Sequence, residues 1–279
     1  MTHFTSYDGT TLAYRTIGEG PPLVCLAGGP GRAAEYLGDL GAPDRTLIML
    51  DTRGTGASEM PRDLSTCRVD RLVRDVEALR GHLGLEHIDV FGHSAGGGVA
   101  LLYAATHPDR LDHLVLANPS LHAIGLESDL GADKVIAARS AEPWYESALE
   151  AYRRVREAAT FAEAARYRLA FEPLMYGRWD ATAQAHAASD PAQRSLAVSE
   201  NFYAGYRPDV ETLHTALAAV GGPVLVLAGE VDLWPTAEAA EQAIGLFPRA
   251  ELVVQPGSGH YPWLDDPGAF AAALDAFLG

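Results

Sequence analysis

The chain has 279 residues, 48% hydrophobic and 21% charged, which excludes disorder, collagen-like repeats and a small disulfide scaffold. Lys and Arg total 21 against 37 Asp and Glu, and the resulting charge of −16 argues against nucleic acid and anionic membrane as partners, because both need a basic surface. No apolar run approaches the ~20 residues that span a bilayer, and Met1–Thr10 lacks a basic segment followed by an apolar stretch, so no signal peptide is expected and the protein reads as cytoplasmic, with Cys25 and Cys67 as reduced thiols.

Along the chain, Thr11–Ile17 alternates like a strand. Pro22–Ala27 and Thr46–Asp51 are short apolar runs of the kind that form buried strands, the first ending in glycines. Val69, Leu72, Val73, Val76, Leu79 and Leu83 recur in steps of three and four, which predicts a helix over 67–83 with Ser65 or Thr66 as its cap. Ile88–Phe91 reads as a strand, Ala95–Thr106 as a helix stopped by Pro108, and Leu114–Ala117 as the next strand. Residues 121–206 break the rhythm: they contain helical spacing, no convincing strand, and 11 of the 23 aromatic residues, so most of those rings should pack the segment itself. After them come a strand at Pro223–Ala228, a helix at Thr236–Phe247, a strand at Glu251–Val254 and a closing helix at Gly268–Leu278. This order predicts an α/β fold, a mostly parallel doubly wound sheet, with 121–206 as a helical cap inserted between core segments 1–120 and 207–279. A cap over the carboxyl edge of such a sheet would cover the place where ligands bind.

The chemistry concentrates at three turns. Gly92-His93-Ser94-Ala95-Gly96 lies between a predicted strand and a predicted helix. A serine hydroxyl is a poor nucleophile unless it is held and deprotonated. A sharp strand-to-helix turn holds it, and the start of the following helix offers positive potential to an oxyanion. The Ala95 N–H is one candidate oxyanion donor, and Gly29, in the loop Gly28-Gly29-Pro30-Gly31, is the best-placed second. His260, in Gly257-Ser-Gly-His260, follows one strand end, and Asp232, in Gly229-Glu-Val-Asp232, follows another. Both should reach the same sheet edge as Ser94, in the order Ser, Asp, His that this arrangement requires. Glu230 is the alternative acid, with Asp265 and Asp266 behind it. His93 is too close to Ser94 in sequence to fold back as its base. Metal spacings of the H-E-x-x-H or paired-cysteine kind are missing, and the glycine loop has neither the dinucleotide register nor a P-loop lysine, so neither metal nor cofactor is expected.

Asp51-x-Arg53-Gly54-x-Gly56-x-Ser58, the G-x-S-x-G at Ser94, Gly-x-x-Asp232 and Gly-His260 together resemble the α/β-hydrolase superfamily over essentially the whole chain. Within it, Gly28-Gly-Pro-Gly31 and Asp51-Thr-Arg-Gly-Thr-Gly56 look like the proline iminopeptidase group. Glu200-Asn-Phe-Tyr203 resembles a Glu-Asn-aromatic stretch of those peptidases whose glutamate binds the substrate's free α-amino group, and Glu172 is a second such candidate. Two positions depart from the group: Ala27 stands where its loop usually has histidine, and Ala95 where it usually has tryptophan. The resemblance therefore implies the Ser94–His260–Asp232 triad more firmly than the peptidase specificity. It implies a serine hydrolase acting through an acyl-enzyme on a small molecule or short peptide with a free amine. Asp51 and Arg53 are expected to brace loops. An esterase or lactonase on an uncharged secondary metabolite is the alternative within the class. A non-hydrolytic small-molecule receptor and a biosynthetic cyclase or lyase are the alternatives outside it. Nothing in the sequence speaks to oligomeric state.

Overall fold

The computed structural model describes residues 1–279. One eight-stranded sheet runs through it: β1 (Thr2–Thr5), β2 (Thr11–Ile17), β3 (Pro22–Leu26), β4 (Thr46–Asp51), β5 (Ile88–His93), β6 (Leu111–Ala117), β7 (Val224–Gly229) and β8 (Ala250–Gln255). The spatial order is β1-β2-β4-β3-β5-β6-β7-β8. The first two strands pair antiparallel and β2 meets β4 antiparallel; all other neighbours are parallel. β1, which the sequence reading did not anticipate, has one buried residue in four, Phe4. The chain steps outward from β3 to β4 and returns on the other side of β3 as β5, so the sheet's direction of growth reverses between β3 and β5. A crevice opens outside the carboxyl ends of strands at such a reversal.

The central strands are buried on both faces, which explains their continuous apolar runs. Val24, Leu26, Val224 and Val226 face one hydrophobic cluster, and Leu23, Cys25, Leu225 and Leu227 the other. On the first face lie α1 (Val69–His82), with its predicted stripe of Val69, Leu72, Val73, Val76 and Leu79, and α2 (Ala95–Thr106). The start of α1 differs from expectation. Asp63, not Ser65 or Thr66, caps a short 3-10 turn at Leu64–Cys67 by accepting from the Ser65 N–H at 2.9 Å. α1 then begins after Arg68 with no side-chain cap, because the turn already delivers the chain into the helix.

Residues 121–206 carry helices: α3 (Ala132–Ala138), α4 (Tyr145–Glu157), α5 (Phe161–Ala164), α6 (Arg168–Phe171), α7 (Ala181–Gln193) and α8 (Leu196–Phe202). Tyr152, Phe171, Leu174 and Tyr176 share the second cluster with Leu225, Leu227 and Trp263, so this layer is packed onto the sheet's own core. α9 (Val210–Leu217), absent from the sequence reading, returns the chain to the first face through Leu217. α10 (Ala237–Ile244), α11 (Pro262–Asp265) and α12 (Pro267–Leu278) complete the fold. None of the helices is long and apolar enough to cross a membrane.

Candidate active site

Ser94 sits between β5 and α2 with φ 52° and ψ −121°, a left-handed conformation that a non-glycine residue adopts at a cost of about 1–3 kcal/mol. The turn is held from both sides: the Ser94 N–H donates to the Ala117 carbonyl at 3.1 Å, and the Ser94 carbonyl accepts from Ser120 at 2.8 Å. Gly92 and Gly96 leave room for it. A methyl on Gly96 would meet the Leu26 carbonyl oxygen at 2.2 Å, and one on Gly92 would meet the Gly96 oxygen at 2.8 Å.

Asp232 and His260 arrive on the loops after β7 and β8. His260 Nδ1 and Asp232 Oδ2 lie 2.8 Å apart, with Asp232 fully buried. The other carboxylate oxygen accepts the N–H groups of Leu233 at 2.7 Å and Trp234 at 3.0 Å. A carboxylate only accepts, so Nδ1 carries the proton and Nε2 is left as the acceptor, the state a general base needs. The other acids do different things. Glu230 accepts from the Gly257 N–H, Asp266 caps α12, and Asp265 accepts from Gly177, Arg178 and Gly259, bracing the loop before His260.

The glycine loop after β3 packs against the serine turn. A methyl on Gly28 would lie 2.7 Å from Ser94 Cβ and 3.1 Å from the Ala95 nitrogen. Gly29 has φ 120° and lines the same cavity as Ser94 and His260. Asp51 accepts from Ala34 and Ala57, tying this loop to the turn after β4, and Arg53 is buried against Asp75 and Asp8.

One hydrogen-bond chain, between residues that carry no local sequence signal, links these parts. The His260 carbonyl lies 2.8 Å from His93 Nε2 and, being only an acceptor, places a proton on that nitrogen. His93 Nδ1 then accepts from the Tyr36 hydroxyl at 2.6 Å, whose oxygen accepts from the Gly28 N–H at 2.7 Å. Burial, and then the neighbouring His260, hold the His93 pKa well below the ordinary imidazole range, so the ring stays neutral as the chain requires. Asn118, itself at φ 43°, adds bonds to the carbonyls of Gly259 and His260 and accepts from Gly229.

The cavity over Ser94 measures about 630 Å³. Its walls include Phe161, Phe171, Tyr203 and Trp234, with Glu200 at an exposed position and Arg168 across the helical layer. Glu200 Oε1 accepts the Ala162 N–H at 3.1 Å. Glu172 is not brought to this cavity: it is 2% exposed and faces Arg168, whose Nε lies 2.9 Å from its carboxylate. Burial raises the Glu172 pKa and Arg168 opposes the shift. Glu172 belongs to a buried cluster with Asp190, Arg32, Arg168 and Arg194. The i, i+4 spacings Arg168/Glu172 and Asp190/Arg194 are the only sequence trace of that cluster.

Residues 21–267 match the family described as alpha/beta hydrolase fold. A proline iminopeptidase of Heyndrickxia coagulans is 26% identical over 275 residues, covering 94% of this chain and 91% of that one. Among solved structures, a hydrolase from Pseudomonas aeruginosa PA01 superposes with a TM-score of 0.72 at 28% identity, covering 100% of this chain and 98% of the other. An esterase from Rhodococcus sp. ECU1013 does so with a TM-score of 0.71 at 26% identity, over 99% and 98% of the two chains.

Proposed function

The chain belongs to the α/β-hydrolase fold family, and from that premise we propose that it is a serine hydrolase cleaving an acyl bond of a small substrate through an acyl-enzyme. The observation that carries this reading is the strained Ser94 turn sharing one cavity with His260, whose Nδ1 is bound to buried Asp232. Ser94 Oγ attacks the acyl carbon while His260 Nε2 takes its proton. Asp232 holds the ring and stabilises the imidazolium. The negative charge on the acyl oxygen falls to the N–H groups of Gly29 and Ala95, each worth ~100- to 1000-fold in rate at comparable sites. The tetrahedral intermediate collapses, and the imidazolium gives its proton to the leaving alcohol or amine as that bond breaks. Water, deprotonated by His260, then releases the acid and regenerates Ser94. In the same proposal residues 121–206 form a lid on a core of 1–120 and 207–279.

Two substrate readings have support. A substrate with a free amine, as in the iminopeptidase relative, is favoured by Glu200 on the cavity wall. An ester is favoured by the Rhodococcus structure and by the cavity's aromatic walls. A fluorophosphonate probe should label the protein at Ser94 and fail on Ser94→Ala. A panel of prolyl and other aminoacyl arylamides against neutral aryl esters then separates the two. Glu200→Gln should lower kcat/KM on the arylamides by about tenfold, the order expected for one charge-assisted contact. An unchanged value would remove the amine-binding role, and absence of labelling would remove the nucleophile.

A further inference from the structure

In this protein of charge −16 the cavity that holds Ser94 is lined by two arginines, Arg32 and Arg168, and one carboxylate, Glu200. The cluster behind it holds three arginines and two acids. Two of the arginines spend most of their donors on protein groups. Arg32 donates through Nε and Nη2 to Gln193, the His186 carbonyl and Ser189, and its Nη1 lies 3.6 Å from Asp190. Arg194 binds both oxygens of Asp190 and the carbonyls of Gly29 and Pro30. Asp190 is thereby consumed. Arg168 differs. Its Nε is enclosed and its only close ion pairs are with Glu172 at 2.9 Å and Asp190 at 3.5 Å, neither in hydrogen-bonding geometry. Its side chain remains 28% exposed, and it lines the Ser94 cavity as well as two neighbouring pockets. Neither terminal nitrogen donates to any protein group, although a guanidinium carries four N–H bonds there. Counting charges leaves this cluster at +1 with Glu172 ionised and +2 with it protonated. Glu200, on the same cavity wall, lies outside the cluster: it forms no ion pair, and its carboxylate accepts the Ala162 N–H.

We propose that Arg168 is a carboxylate-binding subsite, so that the preferred substrates are small acyl compounds bearing one negative charge. The planar fork of its terminal nitrogens matches a carboxylate in a bidentate pair, and an excess of one charge suits a monoanion. This rests on the acyl-transfer reading above but not on the role of Glu200.

The test compares matched neutral and anionic esters: 4-nitrophenyl hexanoate with 4-nitrophenyl hemiadipate, and phenyl acetate with 4-carboxyphenyl acetate. The first pair carries the charge in the acyl group, the second in the leaving group. In at least one pair the anionic ester should have the higher kcat/KM. Arg168→Met should lower the anionic-to-neutral ratio of that pair by ~10- to 100-fold, and Arg168→Lys by less. Arg168→Met strands the Glu172 carboxylate, so Arg168→Met/Glu172→Gln, which removes both partners, is measured beside it and should show the same fall. Ser94-dependent turnover with no anionic preference, or with a ratio that neither variant moves, overturns the carboxylate subsite and leaves the hydrolase reading standing. No Ser94-dependent turnover of any ester together with no fluorophosphonate labelling overturns both.

Discussion

Tyr36 shows how much a single side chain decides here. It lines the cavity, but its hydroxyl is spent on the Gly28 N–H and on His93, which holds the His260 carbonyl. Removing that oxygen leaves a buried donor and a buried acceptor unmatched, each costing about 1–3 kcal/mol. Tyr36→Phe should therefore lose stability to urea and lower kcat by roughly tenfold with KM nearly unchanged, because the loop of Gly29 and the ring of His260 lose their common brace. A raised KM at constant kcat would instead mean that Tyr36 acts by touching substrate. Ser94 and His260 stand out in the sequence because each sits in a local pattern, a serine with glycines two residues to either side and a histidine after a glycine. Tyr36 and Asn118 carry no such pattern. Tyr36 meets His93 57 residues away and Asn118 meets Gly259 141 residues away, and nothing local distinguishes them from other polar residues.

Among elements, the β5–α2 turn leaves no room for a side chain at Gly96. Gly96→Ala would push a methyl against the Leu26 backbone carbonyl, which cannot rotate away, and should cost about 1–3 kcal/mol or more. Gly81→Ala is the contrast. Gly81 is exposed in α1 with nothing within 4 Å of an added methyl, so alanine should stabilise by about 0.5–1 kcal/mol. Melting temperatures that move in opposite directions check both; a neutral Gly96→Ala would mean that the turn relaxes. The elements that the sequence announced were those with strong periodicity, and β2 and β4 were read with their observed limits. β1 escaped because a four-residue edge strand with one buried side chain has no alternation to detect. The start of α1 is ambiguous in the sequence because Asp63, Ser65 and Thr66 are all good caps, and which one serves depends on the path of the preceding turn.

Across the molecule, the buried arginine cluster ties the helical layer to the glycine loop, and Asp190 is its hub. Burial pushes the Asp190 pKa up, but the Arg194 hydrogen bonds and the surrounding guanidinium charges outweigh this and bring it down to about 2. A carboxyl whose folded pKa lies below its unfolded value of ~3.9 adds stability above that value and loses it as pH falls toward the folded pKa. Asp190→Asn should thus be less stable than the parent by about 2 kcal/mol at pH 7, and the gap should close between about pH 4 and pH 2. A gap independent of pH would show that packing, not charge, holds the hub. By itself the sequence determined the sheet-forming runs, the helical character of 121–206 and the three turns that carry Ser94, Asp232 and His260, because strand burial, helix periodicity and strained turns are written in neighbouring residues. It misplaced Glu172, expected at the substrate and found behind the cavity wall, and it did not mark Arg168 as the charge left facing in. Only the tertiary structure decided those, because which of several buried charges is neutralised, and which keeps its donors free, depends on groups that folding brings together from distant segments.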